Sequence, residues 1–271
     1  MGGLYALLSI GFALINGVAR VFNLAHGSLY MLCAYYIYSL SFLGLGTAIV
    51  VSLILTIIAG FVIFQFFIYP LKKKNVGSAI VTLSLALLIQ ALVTIIWGPQ
   101  YISNPDIITG ITIILGVPVT NQKLLSLIVV IILVVILGLF INRTKIGKSI
   151  KAVAQNMDVA KLVGINTRNT FLISMGISAV LAGLAAVLFA PGYSVSPTSW
   201  TILFRAFPVI VLGGLGSLSG ALVGSFVISF TERTIEFTIG GGYLPPTVTF
   251  AIMLVIIFIK PTGLFGKKME D

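Results

Sequence analysis

The stretch NRTKIGKSIKAVAQNMDVAKLVGINTRNT (142–170) is the one long polar run between two strongly apolar blocks. It carries six of the chain's sixteen basic residues. Apolar residues recur within it at steps of three and four, which predicts two short helices with one apolar face and a joint between them. The residues on this predicted face are Ile150, Val153, Met157, Ala160 and Val163.

The second predicted helix covers residues 157–163. Asn156 is suited to cap it, and Asp158 then lies in the first turn, where a negative charge favours the helix dipole. Gly164 is placed to end the helix in a left-handed conformation. Because so short a helix is marginal alone in water, we expect it to dock against something. Either the stretch packs on its own membrane domain as a solvated loop, or it docks a soluble partner.

The composition on either side of this stretch is that of a membrane protein. Charged residues make up 8% of the chain, against about 25% in soluble domains. Hydrophobic residues make up 59%, and several apolar runs approach the length of roughly 20 residues needed to cross a bilayer. We therefore expect one integral membrane domain over 1–271. The net charge of +10 does not indicate nucleic acid, because the charges do not form an exposed folded face.

The basic residues are unevenly distributed and predict the orientation in the membrane. Twelve of the sixteen fall at 72–74, within 143–168 and in the tail after 259. Since cytoplasmic loops are enriched in lysine and arginine, we expect residues 72–74, 143–170 and 260–271 to be cytoplasmic. Residues 98–123 and 191–201 are then external.

The apolar runs predict an all-α bundle of about eight or nine membrane segments, some of them broken or re-entrant. Polar groups within 76–97 predict an interior helix, because they need partners in lipid. Small residues in the run after 170 favour close helix packing. The β-branched run at 111–120 suggests a small external hairpin. The predicted segments are 2–18, 29–42, 45–69, 76–97, 124–141, 171–190, 202–231 with a break, and 244–259.

Two glycine-containing breaks, NLAHGSL (23–29) and LGGLGSL (212–218), interrupt apolar runs in opposite halves of the chain. Irregular backbone at membrane depth is tolerated only where protein buries it or water reaches it. Paired breaks in corresponding halves point to the pathway of a transporter; the alternative is glycine-mediated helix packing. The candidate pathway residues are Asn23, His26, Gly27, Ser28, Gly213, Gly214, Gly216 and Ser217.

The sequence predicts no cofactor in this chain. The segment IGKS (146–149) is similar to the end of a phosphate-binding loop, but Asn142 stands where that motif requires glycine. His26 has no neighbouring carboxylate or cysteine, so it is not a metal site; a structural hydrogen bond or a proton relay remain as its roles. Cys33 is the single cysteine, so there is no disulfide framework.

Three stretches carry a resemblance to a known family. GLYALLSIGFALINGVARVFNLAHGSLYMLCAY (3–35), AVAQNMDVAKLVGIN (152–166) and VIVLGGLGSLSGALVG (209–224) resemble the permease subunits of branched-chain amino acid ABC importers, of the LivH type. The resemblance covers nearly the whole chain. It implies an importer in the cytoplasmic membrane of a prokaryote, with a second permease of the LivM type and two cytoplasmic ATPase subunits that hold ATP and magnesium. The resemblance also implies an extracytoplasmic binding protein that delivers the substrate.

The resemblance also implies a role for the polar stretch. Such permeases dock on their ATPases through a loop with a Glu-Ala-Ala pattern followed by glycine. Here Asp158 and Val159 replace the first two residues of that pattern, so the match is partial. The residues implied in ATPase coupling are Asn156, Met157, Asp158, Ala160, Lys161 and Gly164.

Alternative functions remain open at this stage. Related permeases carry urea, amides or other amino acids. An ion-coupled secondary transporter is a second class, but it needs carboxylates within the membrane, for which Glu232 and Glu236 are the candidates. Arg205 either pairs with one of these or extends to the outer interface. A passive channel is a third class and would need no docking helix.

Overall fold

The structure is a computed structural model that describes residues 1–71, 75–114, 116–214, 217–240, 244–260 and 263. The cytoplasmic lysines at 72–74, most of the tail from 261 onward and the pathway candidate Gly216 lie outside the described residues. Within them, the chain forms eleven α-helices and one two-stranded sheet. The elements are α1 (Gly2–Ala19), α2 (His26–Leu40), α3 (Leu45–Val62), α4 (Asn75–Trp97), β1 (Ile111–Ile114), β2 (Val117–Thr120), α5 (Asn121–Arg143), α6 (Lys145–Gln155), α7 (Met157–Leu162), α8 (Thr167–Phe189), α9 (Ile202–Gly213), α10 (Leu218–Thr238) and α11 (Leu244–Ile259).

The helices agree closely with the predicted apolar runs. Among the described residues, five helical segments are long and apolar enough to cross a membrane, and two shorter apolar segments accompany them. The count of eight or nine membrane segments stays a prediction. The hairpin prediction is confirmed, since β1 and β2 pair antiparallel with Ile111 opposite Thr120. The five long segments are Gly2–Ala19, Leu45–Ile68, Gly77–Trp97, Asn121–Arg143 and Thr167–Phe189.

α1 and α8 form the centre of the bundle. In α1, 83% of the residues in the apolar window are buried, and in α8 67%. The small residues of α8 let its neighbours approach closely, as predicted. A Cβ placed on Gly60 of α3 would lie 2.8 Å from Ala179 Cβ, and one placed on Gly183 would lie 2.7 Å from Leu53. α1, α2 and α3 all pack against α8.

α4 is peripheral in this chain, so the prediction of an interior helix is wrong. Only 22% of its apolar window is buried. Its polar groups need no interior position, because Ser84 and Thr94 donate to carbonyls one turn earlier in the same helix. Gln90 accepts from the Trp200 indole N–H at 2.5 Å. Thr82 is fully buried and reaches the connection between α1 and α2.

The two predicted sides of the membrane lie at opposite ends of α1. The segments 98–123 and 191–201 meet through an isolated bridge between Ile102 and Val195. They lie toward the start of α1, since a Cβ on Gly3 would be 2.9 Å from Phe189, just before the second segment. At the other end, Arg20 donates to the Gln155 carbonyl of α6 at 3.4 Å. The arrangement agrees with the grouping of charges, and the assignment of the α6 end to the cytoplasm stays a prediction.

Cysteine labelling tests this orientation. Tyr101 is 73% exposed and Lys148 is exposed, so each accepts a cysteine without loss of packing in this chain. In a Cys33→Ala background, a membrane-impermeant thiol reagent should label Tyr101→Cys in intact cells and Lys148→Cys only after permeabilisation. The opposite labelling pattern would reverse the orientation.

Candidate functional site

The polar stretch folds back against the bundle through α6. Thr144 caps α6, and its hydroxyl accepts from the Gly147 N–H at 2.9 Å. A Cβ on Gly147 would lie 2.4 Å from the Ile141 Cα, so this close turn after α5 requires glycine. Ile150 and Val153 are buried, as their spacing predicts. The apolar face of α6 therefore packs on the membrane domain.

α7 is capped as the sequence predicts. The Asn156 side chain accepts from the backbone N–H groups of Asp158 and Val159 at 3.0 and 3.1 Å. Lys161 pairs with Asp158 at 2.9 Å across one turn. Gly164 has φ 82°, the left-handed conformation that ends a helix without a steric penalty for glycine. The local sequence thus determines both ends of this helix.

α7 presents two different faces. Ala160 is buried and Met157 is half-buried against the protein, which agrees with the predicted face. Val163 is 70% exposed, so its placement on that face is wrong. The reason is that the helix ends at Leu162, and Val163 leaves the helical phase with φ −87° and ψ 15°. Val159, Leu162 and Val163 together form an exposed apolar surface, here called the α7 tip.

The first break lies between α1 and α2, where residues 20–25 leave helical structure. Arg20 begins the break in the left-handed region, with φ 52°. The Thr82 hydroxyl then accepts from the Leu24 N–H at 3.1 Å and lies 3.0 Å from the Phe22 carbonyl oxygen. A side chain of α4 thus supplies partners for irregular backbone that lipid cannot satisfy. The sequence around Thr82 does not indicate this role.

Three polar side chains of the first break are buried. Asn23, His26 and Ser28 are at most 1% exposed. The His26 Nδ1 lies 3.1 Å from the Ser178 hydroxyl of α8. Asn23 Oδ1 and Ser28 Oγ have no hydrogen-bond partner among the described residues. Since buried polar atoms normally have partners, this cluster is suited to hold water or a polar group of a ligand.

Gly27 lies at a close helix contact. A Cβ at this position would be 2.2 Å from the Trp200 carbonyl oxygen and 3.1 Å from Leu203 Cβ. No side chain fits there without movement of the backbone of the segment that leads into α9. The geometry at Gly27 therefore agrees with the alternative explanation of this break, in which glycine allows close helix packing.

The second break is a tight turn between α9 and α10. A Cβ on Gly213 would lie 2.2 Å from the carbonyl carbon of Gly220, so two glycines let the two helices meet backbone to backbone. Gly214 has φ 95°, and Ser217 caps α10 by accepting from the Gly220 N–H at 3.1 Å. These positions build a turn rather than an opening within a helix.

The two breaks differ in the depth that they reach along α1. Gly11, halfway along α1, is next to His26, since a Cβ there would lie 2.9 Å from the imidazole ring. Ser219, at the start of α10, instead lines a cavity with Gly17 and Val18 at the end of α1. The first break therefore runs from Arg20, at the end that carries α6, to His26 at mid-depth, whereas the second break lies near the α6 end. Among the described residues, only the first break reaches the middle of the bundle.

Comparison with known proteins identifies the family. The model of the family described as "Branched-chain amino acid transport system / permease component" matches residues 1–260. The chain belongs to this family. Its members are permeases, so the bundle described above is that of a permease.

Several curated relatives match this permease. The branched-chain amino acid permease BraD of Pseudomonas aeruginosa is 28% identical over 98% of this chain and 93% of its own length. LivH of Escherichia coli is 26% identical over 98% of this chain and 92% of its own length. The nucleoside ABC transporter permease NupB of Lactococcus lactis is 31% identical over 49% of this chain and 37% of its own length. No solved structure matches the chain.

Glu232 is the one buried carboxylate among the residues that the structure describes. It is 6% exposed, and it accepts from the hydroxyls of Tyr5 at 2.8 Å and Thr249 at 3.4 Å. Arg205 is exposed and forms no ion pair with Glu232 or Glu236 among the described residues; Glu236 pairs instead with the arginine three residues before it. The hydrogen bond from Tyr5 joins α1 to α10, and no pattern in the sequence predicts that these two residues meet.

Proposed function

We propose that this permease is the transmembrane subunit of an ATP-driven importer in the cytoplasmic membrane of a prokaryote. It moves branched-chain amino acids by alternating access and has no ATP site of its own. Its partners are a second permease of the LivM type, two cytoplasmic ATPase subunits that bind ATP and magnesium, and an extracytoplasmic binding protein. Membership of the family and relatives such as BraD and LivH, matched over nearly their whole length, support the proposal.

The observation that supports ATP coupling best is the α7 tip. Leu162 is 86% exposed within a stretch rich in lysine and arginine, where no bilayer would cover it. A short, capped helix that exposes apolar side chains on one face fits the groove of a partner protein. In this proposal Asn156, Asp158, Lys161 and Gly164 keep the helix formed, while the tip makes the contact.

The pathway proposal separates the candidate residues by their surroundings. Asn23, His26 and Ser28 are polar, buried and at mid-depth, which suits groups that meet the substrate or water when the bundle opens. Gly27 and the glycines of the α9–α10 turn support the pathway indirectly, because they allow the close contacts that hold these helices in position.

An uptake assay tests the proposed function. The permease, purified with its co-expressed partner subunits, is reconstituted in vesicles with ATP on the ATPase side and the binding protein on the other. We expect accumulation of labelled leucine that depends on ATP, and competition by isoleucine and valine. Adenosine and urea are included as competitors, because relatives of the family differ in substrate.

Two results would contradict this proposal. Uptake driven by an ion gradient without ATP would favour the secondary transporter, with Glu232 as the coupling carboxylate. If adenosine or urea is taken up and leucine is not, the protein is still an ATP-driven importer, but the proposed substrate is wrong. An ATPase subunit with an inactivated nucleotide site provides the control for ATP dependence.

A further inference from the structure

A cavity of about 430 Å³ opens between α1, α5, α6 and α10. Its walls are mostly apolar, and its volume is within the range of about 300–1,000 Å³ typical of small-molecule sites. Two of the four helices, α1 and α5, are long and apolar enough to cross the membrane. The apolar wall includes Ile10, Leu14, Val134, Leu137 and Leu222. Most of the cavity therefore lies at the depth of lipid acyl chains.

The other end of the cavity is polar and positively charged. Asn142 and Lys151 line it there, together with Ser219 in the first turn of α10. The Lys151 ammonium donates to Asn142 Oδ1, and because an ammonium has three N–H donors, two remain for a ligand. The lining contains no carboxylate. This end can therefore receive an anionic group.

We propose that this cavity binds an anionic phospholipid of the leaflet that faces α6. One acyl chain lies between α1 and α5, and the phosphate lies against Lys151 and Asn142. Basic pockets between membrane helices on the cytoplasmic side are suited to anionic headgroups. The positive end of the α10 dipole, at the N-terminus of that helix, also favours a negative charge. A helix of a second subunit is the competing occupant of the apolar wall, and it would have to bring an acidic group of its own to meet Lys151.

The headgroup part of the proposal is tested by substitution of one lysine. The full chain, purified with its co-expressed partners and stripped of lipid, is titrated with phosphatidylglycerol or phosphatidylcholine, and bound lipid is measured by native mass spectrometry. We expect wild type to prefer phosphatidylglycerol. Lys151→Gln should weaken phosphatidylglycerol binding about fivefold, since one basic residue near an anionic headgroup contributes about that factor. Lys148→Gln, an exposed lysine of the same helix outside the cavity, is the matched control.

The acyl-chain part is tested by filling the cavity. Gly138 lines it, and a Cβ at Gly138 meets no atom within 4 Å, so the side chain of Gly138→Leu begins in the open space of the cavity. We expect this variant to lose binding of both phospholipids by at least tenfold. Gly46→Leu, another helical glycine with open space around its Cβ, should bind both as wild type does.

Three results would overturn the proposal. The first is equal binding of the two phospholipids by wild type, or unchanged phosphatidylglycerol binding in Lys151→Gln. The second is full lipid binding in Gly138→Leu. The third comes from a photoreactive amino acid at Leu137, which should cross-link to lipid; capture of a partner subunit there would assign the cavity to a protein interface instead. None of these measurements depends on which substrate the permease transports.

Discussion

Gly27→Ala should destabilise the permease strongly. The added methyl carbon would lie 2.2 Å from the Trp200 carbonyl oxygen, and a backbone atom cannot move aside as a flexible side chain does. Overpacking of a core typically costs about 1–3 kcal/mol, and this contact belongs at the upper end. We expect the fraction of monodisperse protein after detergent extraction and the midpoint of thermal unfolding to fall together.

Gly46→Ala is the matched control for this prediction. Gly46 lies in the first turn of α3, and a Cβ there meets nothing within 4 Å. Since alanine favours a helix over glycine by about 1 kcal/mol, this variant should be as stable as wild type or slightly more so. A Gly27→Ala protein that folds and assembles normally but takes up no substrate would refute the packing role and assign Gly27 to the lining of the pathway.

Local chemistry made the helix ends and spans predictable. The cap at Asn156 and the left-handed end at Gly164 depend on a few neighbouring residues, and both are present in the structure. The apolar runs likewise predict helices, because a bilayer leaves the backbone few other ways to satisfy its hydrogen bonds. These features need no knowledge of which helix packs on which.

The features that sequence reasoning missed depend on contacts between distant parts of the chain. Thr82 looks like any polar residue of α4, yet it supplies the partners for the Leu24 backbone 58 positions away. The two breaks share the tripeptide Gly-Ser-Leu, but the depth of each is set by the helix that it packs against. Val163 continues the apolar spacing of its helix, and one residue of difference at the helix end turns it from the buried face to the surface.

The last prediction concerns the α7 tip and has a larger expected effect on assembly. Leu162→Asp places a charge at the most exposed apolar residue of the tip, which is 86% exposed. In this chain the change removes no buried contact, so the permease should insert and fold as wild type does. A central apolar anchor of an interface is commonly worth about 2 kcal/mol or more, which corresponds to about thirtyfold in affinity. We therefore expect the ATPase subunits to be lost from pull-downs with the tagged permease.

Two further variants show whether this effect is specific to docking. Ile146→Asp changes another exposed apolar residue of the same polar stretch, 42% exposed on α6, and should leave ATPase binding intact. Leu162→Met keeps an apolar side chain of similar volume and should restore both binding and substrate-stimulated ATP hydrolysis. Normal ATPase recovery with Leu162→Asp would refute coupling through the tip, because a charge at the centre of a desolvated contact must weaken it. Residues 142–170 would then be a solvated loop that packs on its own domain through α6, and the ATPases would have to bind another surface at that end of the bundle.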